Sequence, residues 1–243
     1  MNIKNIFKIH IFFYIIAFIC VLTGHFKEFI IFSSIIIIHE SGHIIAGIIF
    51  KWKIEKVILL PFGGITIFKE YINKPLYQEL IITLSGPIFQ LIFYYIFQGN
   101  EIFNQFNQAI LLFNLLPIIP LDGSKIINVL SNYIISFKYS HIVTIVLSII
   151  SILTILLLTI NRRLELLIFL ILLFILIEII KEIYHHKYYF NKFLLERYLY
   201  NFNFKKQKNI NKLEQMKKET KHIFKIKNNY YTEKEIIKKM FDN

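Results

Sequence analysis

The sequence predicts an all-α polytopic membrane protein: about six transmembrane helices, a membrane-associated β-hairpin after the second, and a short basic cytoplasmic tail. Three observations predict it. Of the 243 residues 56% are hydrophobic, with only 8 glycines and 5 prolines, which is more apolar than an ordinary soluble domain. Apolar runs of membrane-spanning length recur along most of the chain. Charge is uneven: residues 181–243 hold 16 Lys/Arg against 7 Asp/Glu, within a formal net charge of +12. A basic tail can bind nucleic acid, but the positive-inside rule beside anionic lipid explains this one more simply, so no nucleic-acid partner is expected. The single cysteine, Cys20, excludes an intrachain disulfide and a cysteine-based zinc knuckle.

The elements follow in order. The first span, 9–22, has the length of a signal peptide, but no small-x-small cleavage site follows it, so it reads as a retained helix. The second is 29–50. The stretch 54–68 is β-rich and split by Pro61-Phe62-Gly63-Gly64, which predicts a hairpin or re-entrant loop. Further spans are expected at 78–97, 103–116, 141–160 and 164–180, the fourth ended by Pro117 and Pro120. Lysines cluster after the second and fourth spans, which puts both termini on the cytoplasmic side; Arg162 and Arg163 oppose that orientation. The expected division is a transmembrane domain over 1–180 and a tail over 181–243. In the tail, 196–219 reads as an amphipathic linker or helix and 220–241 as a strand, a polar turn and a short helix. About sixty residues are marginal for an independent core.

Chemistry concentrates in the second span. His39-Glu40-Ser41-Gly42-His43 is an H-E-x-x-H pattern. On a helix, i and i+4 place both imidazoles on one face, where two neutral nitrogens can hold one Zn²⁺ and the adjacent glutamate can act as general base. The bland alternative is a hydrogen-bonded core histidine pair. Ionisable groups at membrane depth are costly, which favours a functional use. A catalytic zinc usually takes three protein ligands. The chain has only two aspartates, Asp122 and the near-terminal Asp242. Asp122, 79 residues beyond His43, is the natural third ligand, with a helix N-cap as its alternative role. His185-His186 is a weaker metal candidate.

"HESGH", "LLPFGG", "LSGP" and "FNLLPIIPLDGSK", in that order and spacing over about residues 1–200, resemble the site-2 protease family of intramembrane zinc metalloproteases, and its sporulation branch most. The resemblance implies His39, His43 and Asp122 as zinc ligands and Glu40 as catalytic base. It also implies substrate handling by Asn114 and Pro120, in the Asn-x-x-Pro-x-x-Pro-Leu-Asp-Gly element. Family members process extended segments, so the 54–68 stretch can pair with substrate backbone as an edge strand, with Gly63 and Gly64 admitting close approach. Gly86, by contrast, reads as a helix-packing glycine.

The activity implied is peptide-bond hydrolysis in a membrane-associated protein. The substrate implied is the precursor of a sporulation sigma factor, with regulatory membrane proteins as further partners. The location implied is a bacterial cell membrane, the one surrounding the forespore. Residues 220–241 resemble the opening strand and helix of the cystathionine-β-synthase-type domain found in that branch, so the tail reads as a truncated remnant used for substrate docking. Two other readings stand: a site-2 protease cleaving an anti-sigma factor or a signal-peptide remnant, and a non-catalytic membrane zinc-binding protein.

Overall fold

A computed structural model describes residues 7–60, 63–97, 101–159, 166–226 and 229–241. Two compact units emerge. The first comprises 1–70, 80–116 and 121–123; the second comprises 71–79, 117–120 and 124–243.

The first unit opens with a short strand, β1 (Phe7–Ile9), and an apolar helix, α1 (Ile11–Leu22). Helix α2 (Phe26–Ile49) follows, then strands β2 (Ile54–Leu60) and β3 (Gly63–Phe68). β2 and β3 pair antiparallel, with Ile58 opposite Ile65 and Leu60 opposite Gly63. The hairpin is therefore present, although Pro61 and Phe62 at its expected turn lie outside the described residues. β1 adds to the far side of β2 in parallel, giving the order β1-β2-β3 and leaving β3 at an edge. Phe68 packs over Gly47, where a methyl group would stand 2.4 Å from its ring, so the hairpin lies against the end of α2.

Helices α3 (Leu76–Phe97, from Leu80 on) and α4 (Glu101–Asn114) complete this unit. α2 and α3 approach closely at Gly42, where a Cβ would meet the Ser85 carbonyl oxygen at 2.4 Å. Small residues permit such backbone approach between membrane helices. Nearer the start of α2, Ile35 and Ile36 pack with Phe103 and Ile110 of α4.

The second unit contains α5 (Asp122–Ile134, from Ser124 on), α6 (Phe137–Thr159), α7 (Leu166–Leu199), strands β4 (Lys206–Ile210), β5 (Thr220–Ile226) and β6 (Asn229–Thr232), and α8 (Glu233–Phe241). Its core joins Phe137 of α6, Phe193 and Leu194 of α7, and Ile210, Met216, Phe224 and Ile237 of the tail. Buried Arg197 ties the unit together: its Nε donates to Asn73 Oδ1 at 2.5 Å and its terminal nitrogens to the carbonyls of Thr220 and Lys217. Glu196 receives the backbone N–H groups of Ile72 and Asn73.

Three helices among the described residues are long and apolar enough to cross a membrane: α2, α3 and α6 over Phe137–Leu158. α1, at 12 residues, is apolar but short. The chain is mainly helical but not all-α, because it carries two three-stranded sheets. β4 replaces the expected linker or helix: Lys206–Ile210 pairs in parallel with β5. The core over the tail joins its own Phe193, Leu194, Ile210, Met216, Phe224 and Ile237 to Phe137 of α6. The expected turn at 161–165, with Arg162 and Arg163, lies outside the described residues.

Candidate metal centre

His39, Glu40 and His43 lie in the buried middle of α2. Their donor atoms fall within 4.8 Å of one another. Asp122, the first residue of α5, reaches the same place: its Oδ2 is 2.8 Å from His39 Nε2 and 3.0 Å from His43 Nε2. The two Nε2 atoms are 3.2 Å apart. Asp122 thus begins α5 and stands at the third corner of a triangle of donor atoms.

The second nitrogen of each imidazole selects its neutral tautomer. His43 Nδ1 faces the carbonyl oxygen of Ile82 at 2.7 Å, and His39 Nδ1 faces Gln90 Oε1 at 2.9 Å. The Gln90 amide is oriented by its own Nε2, which donates to the Asn107 carbonyl at 2.8 Å. Both acceptors require N–H at Nδ1, so in the neutral tautomer each Nε2 lone pair is aimed at the other ring and at a carboxylate oxygen. Three acceptors within 3.2 Å call for a cation. Donors of a tetrahedral zinc stand about 3.3–3.4 Å apart at metal–nitrogen distances of about 2.0–2.1 Å. The observed edges approach that spacing, so the residues fit such an ion. Carbonyl partners behind ligating histidines are the usual outer support of such sites.

Glu40 is held separately. Thr66 of β3 donates from Oγ1 to Glu40 Oε2 at 2.6 Å. Gly64 lies against the same carboxyl group, since a Cβ there would be 2.4 Å from Glu40 Cγ and 2.7 Å from Oε1. The hairpin therefore forms one wall beside the general-base candidate.

Residues 27–103 match peptidase family M50. The described residues of the matched stretch include the HExxH helix, the hairpin and α3, and Asp122 comes from beyond it. A sporulation protein, stage IV sporulation protein FB of Bacillus subtilis (strain 168), is 38% identical over 149 residues, covering 56% of this chain and 52% of that protein. A zinc metalloprotease of Methanocaldococcus jannaschii is 28% identical over 128 residues, covering 47% of this chain and 36% of its own length. The chain thus matches about half or less of these curated relatives. The solved site-2 protease from Methanocaldococcus jannaschii superposes with a TM-score of 0.59 at 22% identity, over 75% of this chain and 93% of that one, which shows a shared fold.

Around the HExxH motif, the other sequence-selected residues fall as follows. Asn114 ends α4, buried, and donates from Nδ2 to the Ile110 carbonyl at 3.1 Å. Its Oδ1 would lie 3.8 Å from a Cβ on Gly63, so Gly63, Gly64, Glu40 and Asn114 line one neighbourhood. Pro120 follows a cis peptide bond two residues before Asp122 and belongs to the second unit. His185 and His186 are not brought together: His185 Nδ1 donates to the Lys181 carbonyl, while His186 faces His141.

Gly86 does more than pack helices. A Cβ there would stand 2.3 Å from His43 Nε2 and 2.9 Å from His39 Nε2, so its α-carbon closes one side of the donor triangle. Gln90 and Thr66 were also not anticipated. Gln90 had a signal: an amide in the middle of an apolar run, a position that demands a buried partner.

Proposed function

We propose that the chain is an intramembrane zinc endopeptidase of site-2 protease type, with His39, His43 and Asp122 as zinc ligands and Glu40 as general base. The supporting observation is the triangle of three acceptor atoms beside a glutamate positioned by a separate strand. When bound, the ion supplies a Lewis acid for the scissile carbonyl and lowers the pKa of a water to about 7. Glu40 takes the proton of the attacking water and delivers it to the leaving amine. Thr66 keeps the carboxylate aimed while these transfers occur. Asn114, with one Nδ2 hydrogen committed to Ile110, offers the other to the developing oxyanion. Pro120 shapes the approach to Asp122. The edge position of β3 suits it to pair with an extended substrate segment, with Gly63 and Gly64 admitting close backbone approach.

The substrate in this reading is a membrane-associated protein, the precursor of a sporulation sigma factor, and regulatory membrane proteins restrain the enzyme. Support comes from 38% identity to a sporulation protein. The protein has six spans in the bacterial membrane surrounding the forespore, with both termini cytoplasmic. Glu40→Gln, co-expressed with the candidate precursor, tests the mechanism. Cleavage is expected to disappear while bound zinc stays at the wild-type level. Cleavage at the wild-type rate would remove Glu40 as the base, and retained zinc in Asp122→Asn would remove Asp122 from the ligand set.

A further inference from the structure

A separate feature lies in the second unit, where the tail meets the start of α6. Lys206 and Lys208 project from β4, at the edge of the sheet order β4-β5-β6, and two-residue spacing puts them on one face. Their register partners are Thr220 and His222. Lys217 joins them: its backbone N–H donates to His222 Nε2 at 3.2 Å, and its ammonium donates to the carbonyl of Ile134 at the end of α5. Burial and then the charges of Lys208 and Lys206 hold the Lys217 ammonium below the usual lysine range. The three cations thus stand close enough to act on one another.

Their location identifies the partner. Phe137 starts α6, a helix long enough to cross a membrane, and its backbone N–H donates to the Met216 carbonyl at 3.0 Å, next to Lys217. The tail is therefore fastened at the level where a spanning helix begins. Beside the lysines, Tyr133 and Ile134 of α5 are exposed, Ile134 by 74%. Cations bordering exposed apolar side chains at a helix's membrane end match the interface of an anionic bilayer. An acidic soluble protein or a nucleic acid would complement the charges but leave the apolar border in water.

We propose that Lys206, Lys208 and Lys217 form a binding site for the headgroup of an anionic phospholipid, anchoring the tail sheet to the bilayer that α6 enters. This does not rest on the protease reading. Each lysine near an anionic surface contributes roughly fivefold in affinity, so three contribute on the order of a hundredfold.

The full chain, purified in neutral detergent, is titrated with phosphatidylglycerol or phosphatidylcholine, with retained lipid counted by native mass spectrometry. Wild type is expected to retain phosphatidylglycerol preferentially. Lys206→Gln/Lys208→Gln/Lys217→Gln weakens retention about a hundredfold. Lys206→Gln/Lys208→Gln, which leaves the Lys217–Ile134 bond intact, weakens it roughly twenty-five-fold and guards against misfolding. The control Lys221→Gln/Lys225→Gln/Lys239→Gln removes the same charge elsewhere and leaves retention unchanged. The proposal is overturned if the control loses retention equally, if both cluster variants retain lipid like wild type, or if phosphatidylcholine binds equally. It is also overturned if inorganic phosphate, polyglutamate or an oligonucleotide displaces phosphatidylglycerol at matched charge concentration.

Discussion

Gly86→Ala should remove the metal without unfolding the protein. Two effects compete. In a helix interior alanine is favoured over glycine by about 0.8–1 kcal/mol, so an unobstructed position in α3 would gain stability. Here the added methyl would lie 2.3 Å from His43 Nε2 and 2.5 Å from His43 Cε1. Contacts of that kind do not persist below 3.0 Å, so the imidazole must retreat by at least 0.7 Å. Metal sites tolerate about 0.2 Å in donor distance, and the required shift is more than three times that. His39 Nε2, at 2.9 Å, is pressed as well, so two of three donors move together. Disturbing only the outer partner of a ligand costs about 10–100-fold in affinity; moving the ligands themselves should cost about a hundredfold or more. The assay is zinc per chain by inductively coupled plasma mass spectrometry, with competition by a calibrated chelator. Gly63→Ala is the matched control, because its nearest neighbour would be Asn114 Oδ1 at an ordinary 3.8 Å, and it should keep its zinc. If Gly86→Ala binds zinc one-to-one with wild-type affinity, the donor triangle beside Gly86 is not the metal site.

Gln90→Leu removes the acceptor of His39 Nδ1 and should lower zinc affinity about 10–100-fold, read by the same chelator competition. Thr66→Val deletes the hydroxyl that aims Glu40; zinc content should hold while kcat falls about tenfold or more and the acidic limb of the pH–rate profile moves. Near the tail, burial and then the neighbouring His141 and Lys138 hold His186 below the usual histidine range, against Glu182. The folded state thus prefers neutral His186. Its contribution is complete above the unfolded value of about 6.5 and declines as pH falls below it. The thermal midpoint should drop between pH 7.5 and 5.5, and His186→Gln should flatten that slope.

The helix carrying the candidate ligands was legible because its pattern is local. Spacing i, i+4 fixes the relation of His39 to His43 wherever the helix sits. Asp122 was legible for a different reason: with two aspartates in the chain, scarcity stood in for geometry. Gln90, Thr66 and Gly86 were not, since each acquires its role from an approach between elements that periodicity does not encode. A threonine in β3 says nothing of Glu40 until β3 lies against α2. Strands β1 and β4 were missed on similar grounds: three and five residues carry little pattern, and their partners are β2 and β5, well removed in sequence. α7 outran its expected end at residue 180 and continued to Leu199, because Phe193 and Leu194 continue a buried face after the apolar run stops.

The two halves of the proposed site face opposite electrostatic problems. At the proposed ligands, three polar atoms are forced together, and a bound cation would offset their repulsion. At Glu40, the carboxylate must stay near that charge without being captured as a fourth ligand. Its donor oxygen is close enough to be, within 4.8 Å of the histidine nitrogens. The restraint comes from outside the helix: Thr66 engages Oε2 at 2.6 Å, and Gly64 lets the strand lie directly against the side chain. A hairpin that restrains the base and also presents an edge strand links the two tasks of the site. Movement of β3 when a substrate strand pairs with it would shift Glu40 through the Thr66 hydroxyl, and so couple substrate pairing to the position of the base.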